Sequence, residues 1–117
     1  MRTDLRRDLT AALKARDRVA VSALRSALAA IENAEAVPAP QPAAGGDDRV
    51  AGSSLGVGSA ESDRRVLTAA DLHAIVRNEV TERVTAADGY AQHGRDDAAE
   101  RLRAEADVLR RYLPADH

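Results

Sequence analysis

The stretch Val21-Ser22-Ala23-Leu24-Arg25-Ser26-Ala27-Leu28-Ala29-Ala30-Ile31 decides the fold. Its large apolar residues fall at 21, 24, 28 and 31, the three-or-four spacing that lines one face of a helix, and Ala20, Ala27 and Ala34 flank that face. Such small side chains let a second backbone come close. Upstream, Leu5, Leu9, Ala12 and Leu13 repeat at the same interval and predict an earlier helix over roughly 3–16, while Asp17 stands where it can cap the second. The two read as an αα-hairpin over about 3–36 with a very tight turn around Ala15 to Arg18.

Downstream the pattern breaks. Residues 37–65 hold three of the four prolines and five of the seven glycines, a composition that cannot bury enough apolar surface to offset its ordering entropy, so a flexible insertion is expected there. Gly56-Val57-Gly58 lacks the further glycine, strand and helix that a dinucleotide fold needs. Helical order is expected again from Thr68, which with Asp71 three residues on resembles a capping box. The third helix runs to about His93 on Leu72, Ile75, Val76, Val80, Val84, Ala87 and Tyr90 or Ala91. Gly89 inside it predicts a kink or a close helix contact, and Gly94 is placed to end it. Asp97 and Glu100 have capping-box spacing for a fourth helix, whose stripe is Ala99, Leu102, Ala106, Leu109 and Leu113 and which Pro114 closes. A second hairpin thus spans about 68–114, and the expected fold is all-α: one domain over 1–117, a four-helix bundle of two antiparallel hairpins.

Composition agrees with helices. The chain has 117 residues, among them 26 alanines but only 23 Leu, Ile and Val, and Tyr90 and Tyr112 are its only aromatics. Strands favour aromatic and β-branched residues, so an all-β fold is excluded and a thin core of Leu, Val and Ala is expected. The absence of cysteine excludes disulfides, thiolate-held zinc and thiol nucleophiles. The first residues are charged and the longest apolar run is a few residues, which predicts a cytoplasmic protein without a membrane segment. The net charge of −2 speaks against a dedicated nucleic-acid binder. It hides an asymmetry, however: residues 1–31 carry seven basic against three acidic side chains, and the remainder ten against sixteen. Such separation can build a basic face on an acidic protein.

No catalytic residue, metal or cofactor is predicted. No two of His73, His93 and His117 share a helix face at ligand spacing, and Ser22 and Ser26 have no histidine nearby in sequence. Asn33 and Glu35 lie near the end of the second helix, where an acid is disfavoured. Either the helix frays there, or the two make a specific contact.

The runs Asp8-Leu9-Thr10-Ala11-Ala12-Leu13-Lys14-Ala15-Arg16-Asp17, Leu24-Arg25 and Ile31-Glu32-Asn33-Ala34-Glu35 resemble the N-terminal hairpin of the GatB/YqeY family. Asn78-Glu79-Val80, Arg83, Tyr90, Gly94-Arg95, Glu105, Leu109 and Tyr112-Leu113-Pro114 continue the likeness. It covers about three quarters of the chain. The resemblance implies a four-helix bundle, here with the family's C-terminal three-helix bundle missing because the sequence stops at His117. Ala98 and Ala106, where the family usually has Leu, should weaken the last helix. Related domains form the tail of one component of the glutamine-dependent tRNA amidotransferase and help hold tRNA, so a non-catalytic, tRNA-associated module is implied. Its partner would be tRNA or a tRNA-aminoacylation or amidation enzyme. Lys14, Arg16, Arg18 and Arg25 are the candidate phosphate contacts, with pairing of Arg16 and Arg25 to Asp17 or Glu35 as the alternative. Asp17, Asn33, Glu35, Arg83, Gly94, Arg95 and Tyr112 fall on family-motif positions of unknown role. The competing function is a protein-binding or homo-oligomeric helical module without RNA contact.

Overall fold

The computed structural model describes residues 1–36 and 65–115. Four helices form there: α1 Arg2–Ala15, α2 Arg18–Ala36, α3 Ala69–Gln92 and α4 Asp96–Arg110. The expected insertion over 37–65 lies, but for Arg65, outside the described residues.

Each hairpin turns on the same backbone device. After α1, Arg16 takes the left-handed conformation (φ 58°), its N–H donates to the Leu13 carbonyl at 3.2 Å, and the Asp17 N–H reaches back to the Ala12 carbonyl at 3.0 Å. After α3, Gly94 (φ 75°) donates to Ala91 at 3.1 Å and Arg95 to Tyr90 at 2.8 Å. Both are Schellman motifs, which satisfy helix-end carbonyls and reverse the chain within two residues. Asp17 then serves α2 as well, its Oδ1 accepting from the Ala20 N–H at 3.1 Å. The start of α3 carries the expected box: the Asp71 N–H donates to Thr68 Oγ1 at 3.0 Å and the Thr68 N–H to Asp71 Oδ2 at 2.9 Å. That amide contact holds the Asp71 carboxyl below its usual range.

Helix α2 is the hub. It packs against α1, α3 and α4, the most extensive packing is between α3 and α4, and among the described helices α1 packs on α2 alone. Accordingly α2 buries Ala20, Ala23, Leu24, Ala27, Leu28 and Ile31, and Leu5, Val76 and Leu109 meet this face from the other three helices. Ala106, expected to weaken α4, is fully buried.

Four local expectations are corrected. Leu13 is 47% exposed and not core. At about 100° per residue it lies about 80° around α1 from Leu5, whereas Ala12 lies within about 20°, and a helix with one neighbour buries only a narrow stripe. Asp97 does not cap α4, because the Schellman bond fixes Arg95 as the residue before the helix, and the Arg95 carbonyl accepts from Ala99 at 3.0 Å. The close helix contact expected at Gly89 is absent, since a Cβ placed there would meet nothing within 4 Å, and α3 runs on to Gln92. Finally, α4 ends at Arg110, and tighter turns from Leu113 to Arg110 and from Tyr112 to Leu109 (both 3.1 Å) precede Pro114.

The two glycines of the second hairpin should therefore respond in opposite directions. Gly89→Ala is expected to raise unfolding free energy by about 0.5 to 1 kcal/mol, since the alanine enters free space in a helix interior. Gly94→Ala should lower it by about 1 kcal/mol, since a Cβ is disfavoured in the left-handed region. Urea unfolding of both variants checks the pair.

Candidate nucleic-acid interface

The turn between α1 and α2 sets Arg16 on a left-handed backbone at the end of one helix and Arg18 at the start of the next. On α2, residues 18, 21, 22 and 25 share one face by helical spacing. Arg16, Arg18 and Arg25 line one open groove together with the exposed Leu13 and the half-buried Val21 and Ser22, and Arg101 of α4 completes its lining. Lys14 is exposed but does not line it.

Among the described residues no carboxylate lines the groove. Among the described residues, Arg16, Arg18 and Arg25 have no acidic partner within 4.0 Å. The two acids that could have paired them are occupied elsewhere: Asp17 caps α2, and Glu35 pairs with Arg2. Glu35 also receives the Arg65 N–H on its main-chain carbonyl at 3.0 Å, so α2 continues through this contact to Ala36 instead of fraying. Asn33 is exposed. The groove is thus a concentration of positive charge on a protein whose net charge is −2.

Beneath it lies a buried ionic set. Arg83, its side chain 11% exposed, donates through Nη1 to Glu79 Oε1 and through Nε to Glu105 Oε1, both at 3.0 Å. Its Nη1 also reaches the Glu79 carbonyl at 3.1 Å, and Ser26 Oγ donates to Glu79 Oε1 at 2.6 Å. Three helices meet at these four side chains. Arg95 stacks its guanidinium over the half-exposed Tyr90 ring, 5.7 Å from the centroid. Of the motif positions, Asp17, Glu35, Arg83, Gly94, Arg95 and Tyr112 each occupy a joint of the bundle.

Sequence reasoning missed four of these roles: Arg101 in the groove, and Ser26, Glu79 and Glu105 in the buried set. The Glu79/Arg83 and Arg101/Glu105 pairs have i,i+4 spacing, but a chain with 31% charged residues offers that spacing in many places. Among the described residues no three His, Asp or Glu side chains cluster as a metal site, and no helix is long and apolar enough to cross a membrane.

Tyr112 closes the cleft between α1 and the end of α4. Its hydroxyl donates to Asp8 Oδ2, which holds the Asp8 carboxyl below its ordinary value of 3.8. Burial first, and then Asp8, raises the Tyr112 hydroxyl above 10.0. A depressed carboxyl contributes stability above its unfolded pKa and loses it as pH falls, and a raised phenol contributes below its unfolded pKa and loses it as pH rises. The contact should therefore hold from about pH 4 to about pH 10, and the stability difference between wild type and Tyr112→Phe should be greatest on that plateau and shrink at both edges, as followed by thermal unfolding against pH. Arg83→Met should cost about 3 to 5 kcal/mol in urea unfolding, because it leaves Glu79 buried without a counter-charge and Glu105 with only the longer contact to Arg101. Adding Glu79→Leu and Glu105→Leu to it should recover most of the loss.

A family model described as Yqey-like protein matches residues 54–116, more than half of the chain. Comparison with curated proteins and with solved structures returns no match. The matched span takes in α3, α4, the buried Arg83 with its two glutamates, Arg101 and Tyr112, and leaves α1 and α2 outside it. On that match, the chain belongs to the YqeY-like protein family.

Proposed function

We propose that the chain is a non-catalytic accessory module of the cytoplasm that holds tRNA by its phosphate backbone, and that its tie to glutamine-dependent tRNA amidotransferase is one of family and not of chemistry. The observation that carries this reading is the groove at the α1–α2 turn, where Arg16, Arg18 and Arg25 converge without a carboxylate among the described residues. Unpaired guanidiniums present planar forks of donors suited to phosphate oxygens. The groove holds no aromatic side chain, so bases have nothing to stack on and the contact is directed to the backbone. The half-buried Ser26 hydroxyl donates a hydrogen bond to a carboxylate already held by Arg83. That arrangement suits a structural part, not a nucleophile.

Unfractionated tRNA should bind the full chain at low salt and release as salt rises, because each neutralised phosphate returns a counterion to solution. Arg16→Ala with Arg25→Ala should weaken binding by about tenfold or more at low salt and make the salt dependence shallower by nearly two contacts. Absence of binding at low salt, or binding indifferent to the double variant, would sink the reading. The exposed Leu13 in the same groove favours the competing one, a protein partner with an apolar anchor. Salt-tolerant association lost on Leu13→Ala would mark that outcome.

A further inference from the structure

We infer that the groove is completed from the second hairpin: Arg101 of α4 supplies its fourth guanidinium, and Glu105 is the positioning residue that holds it there. This rests on the phosphate-binding reading above and adds a residue that the charge excess of α1 and α2 does not contain.

Arg101 lines the same groove as Arg16, Arg18 and Arg25, from the opposite bank. Its side chain is 58% exposed, and its Nε stands 3.7 Å from Glu105 Oε2. That separation is too long for a hydrogen bond, so charge tethers the guanidinium while its donors stay available to another acceptor. Glu105 cannot turn away. Its residue is 5% exposed and its other oxygen is bound by Arg83 at 3.0 Å. Arg83 is in turn bound to Glu79, and Glu79 to the Ser26 hydroxyl at 2.6 Å. Ser26 follows Arg25 directly on α2. The same buried set therefore fixes both banks of the groove, Arg25 and Arg18 on α2 and Arg101 on α4.

A polyanion lying in this groove bridges the two hairpins. Arg103 provides the control: it is two residues further along α4, 48% exposed, paired with Asp88 at 3.3 Å, and outside the groove.

The test uses the full chain and unfractionated tRNA titrated between about 50 and 200 mM salt, where each phosphate contact makes affinity fall about threefold further. Arg101→Ala should remove about one such contact from the salt dependence, and Arg103→Ala none. Glu105→Gln separates positioning from background charge. Its amide oxygen can still accept from Arg83, but its NH2 group then faces the Arg101 guanidinium and displaces it. Removing a negative charge beside a groove raises anion affinity on general electrostatics. A positioning role gives the opposite sign: affinity falls, and Glu105→Gln has no further effect in the Arg101→Ala background. Arg101→Ala is a surface change, so its result stands even where Glu105→Gln unfolds the chain. If wild type binds and Arg16→Ala with Arg25→Ala weakens it while Arg101→Ala behaves like Arg103→Ala, the inference is overturned and the phosphate reading survives. If wild type does not bind, both fall.

Discussion

Arg83, clamped between Glu79 and Glu105 with Ser26 beneath, is the contact on which the arrangement of α2, α3 and α4 depends. The reason lies in the scarcity of large side chains. With 26 alanines and neither Phe nor Trp, the helix faces are smooth, and alanine against alanine packs almost equally well in several registers. A guanidinium with two carboxylates is satisfied in one register only. Buried ion sets seldom add net stability over an apolar replacement, and fixing a register is the best-attested use of burying one. The set has one positive and two negative charges, and the half-exposed Arg101 at the rim supplies the fourth. The frame and the groove therefore share a residue.

The two turns show a second balance. Both hairpins reverse through a left-handed residue, which is glycine at 94 and arginine at 16. A glycine at 16 would relieve backbone strain of about 1 kcal/mol, and it would also remove a guanidinium from the groove. Strain kept at a surface turn where a less strained residue exists is the pattern of a position that carries more than the fold. Asp17 completes the arrangement by ending one helix and capping the next, which is why it is not free to neutralise Arg16.

Helix existence and the two hairpins were legible in the spacing of Leu5 and Leu9, of Leu24, Leu28 and Ile31, and of Val76 and Val80, and the ends were legible in Asp17, Thr68 and Gly94. Periodicity reports a helix's own face and not its neighbours. Leu13 fell outside the stripe because α1 has a single neighbour among the described helices, and no feature of the run Leu5 to Leu13 encodes that number. Asp97 lost the cap to Arg95 because a backbone motif set the start of α4 before any side chain could. Arg101 joined the groove through the crossing of α2 and α4, which lie apart in sequence, and Tyr112, just past the end of α4, meets Asp8 of α1 across 104 residues of chain. Chemistry that arises from helix crossing is invisible to any single-helix pattern.

Family membership and the proposed activity rest on different halves of the chain. The match over 54–116 covers the hairpin that holds Arg83, Glu105 and Tyr112, whereas three of the four groove arginines lie on α2 or in the turn before it. Membership thus speaks for the frame, and the groove speaks through charge and geometry alone. The charge asymmetry gains its meaning from this division: seven basic residues within the first 31 would be an ordinary solvated face if Asp17 and Glu35 were free to answer them. Both acids are instead engaged at joints, Asp17 in the turn and Glu35 with Arg2. Among the described residues the fold leaves Arg16, Arg18 and Arg25 open in one groove by using Asp17 and Glu35 to build itself, and Arg101 is the point where the matched half reaches across to that groove.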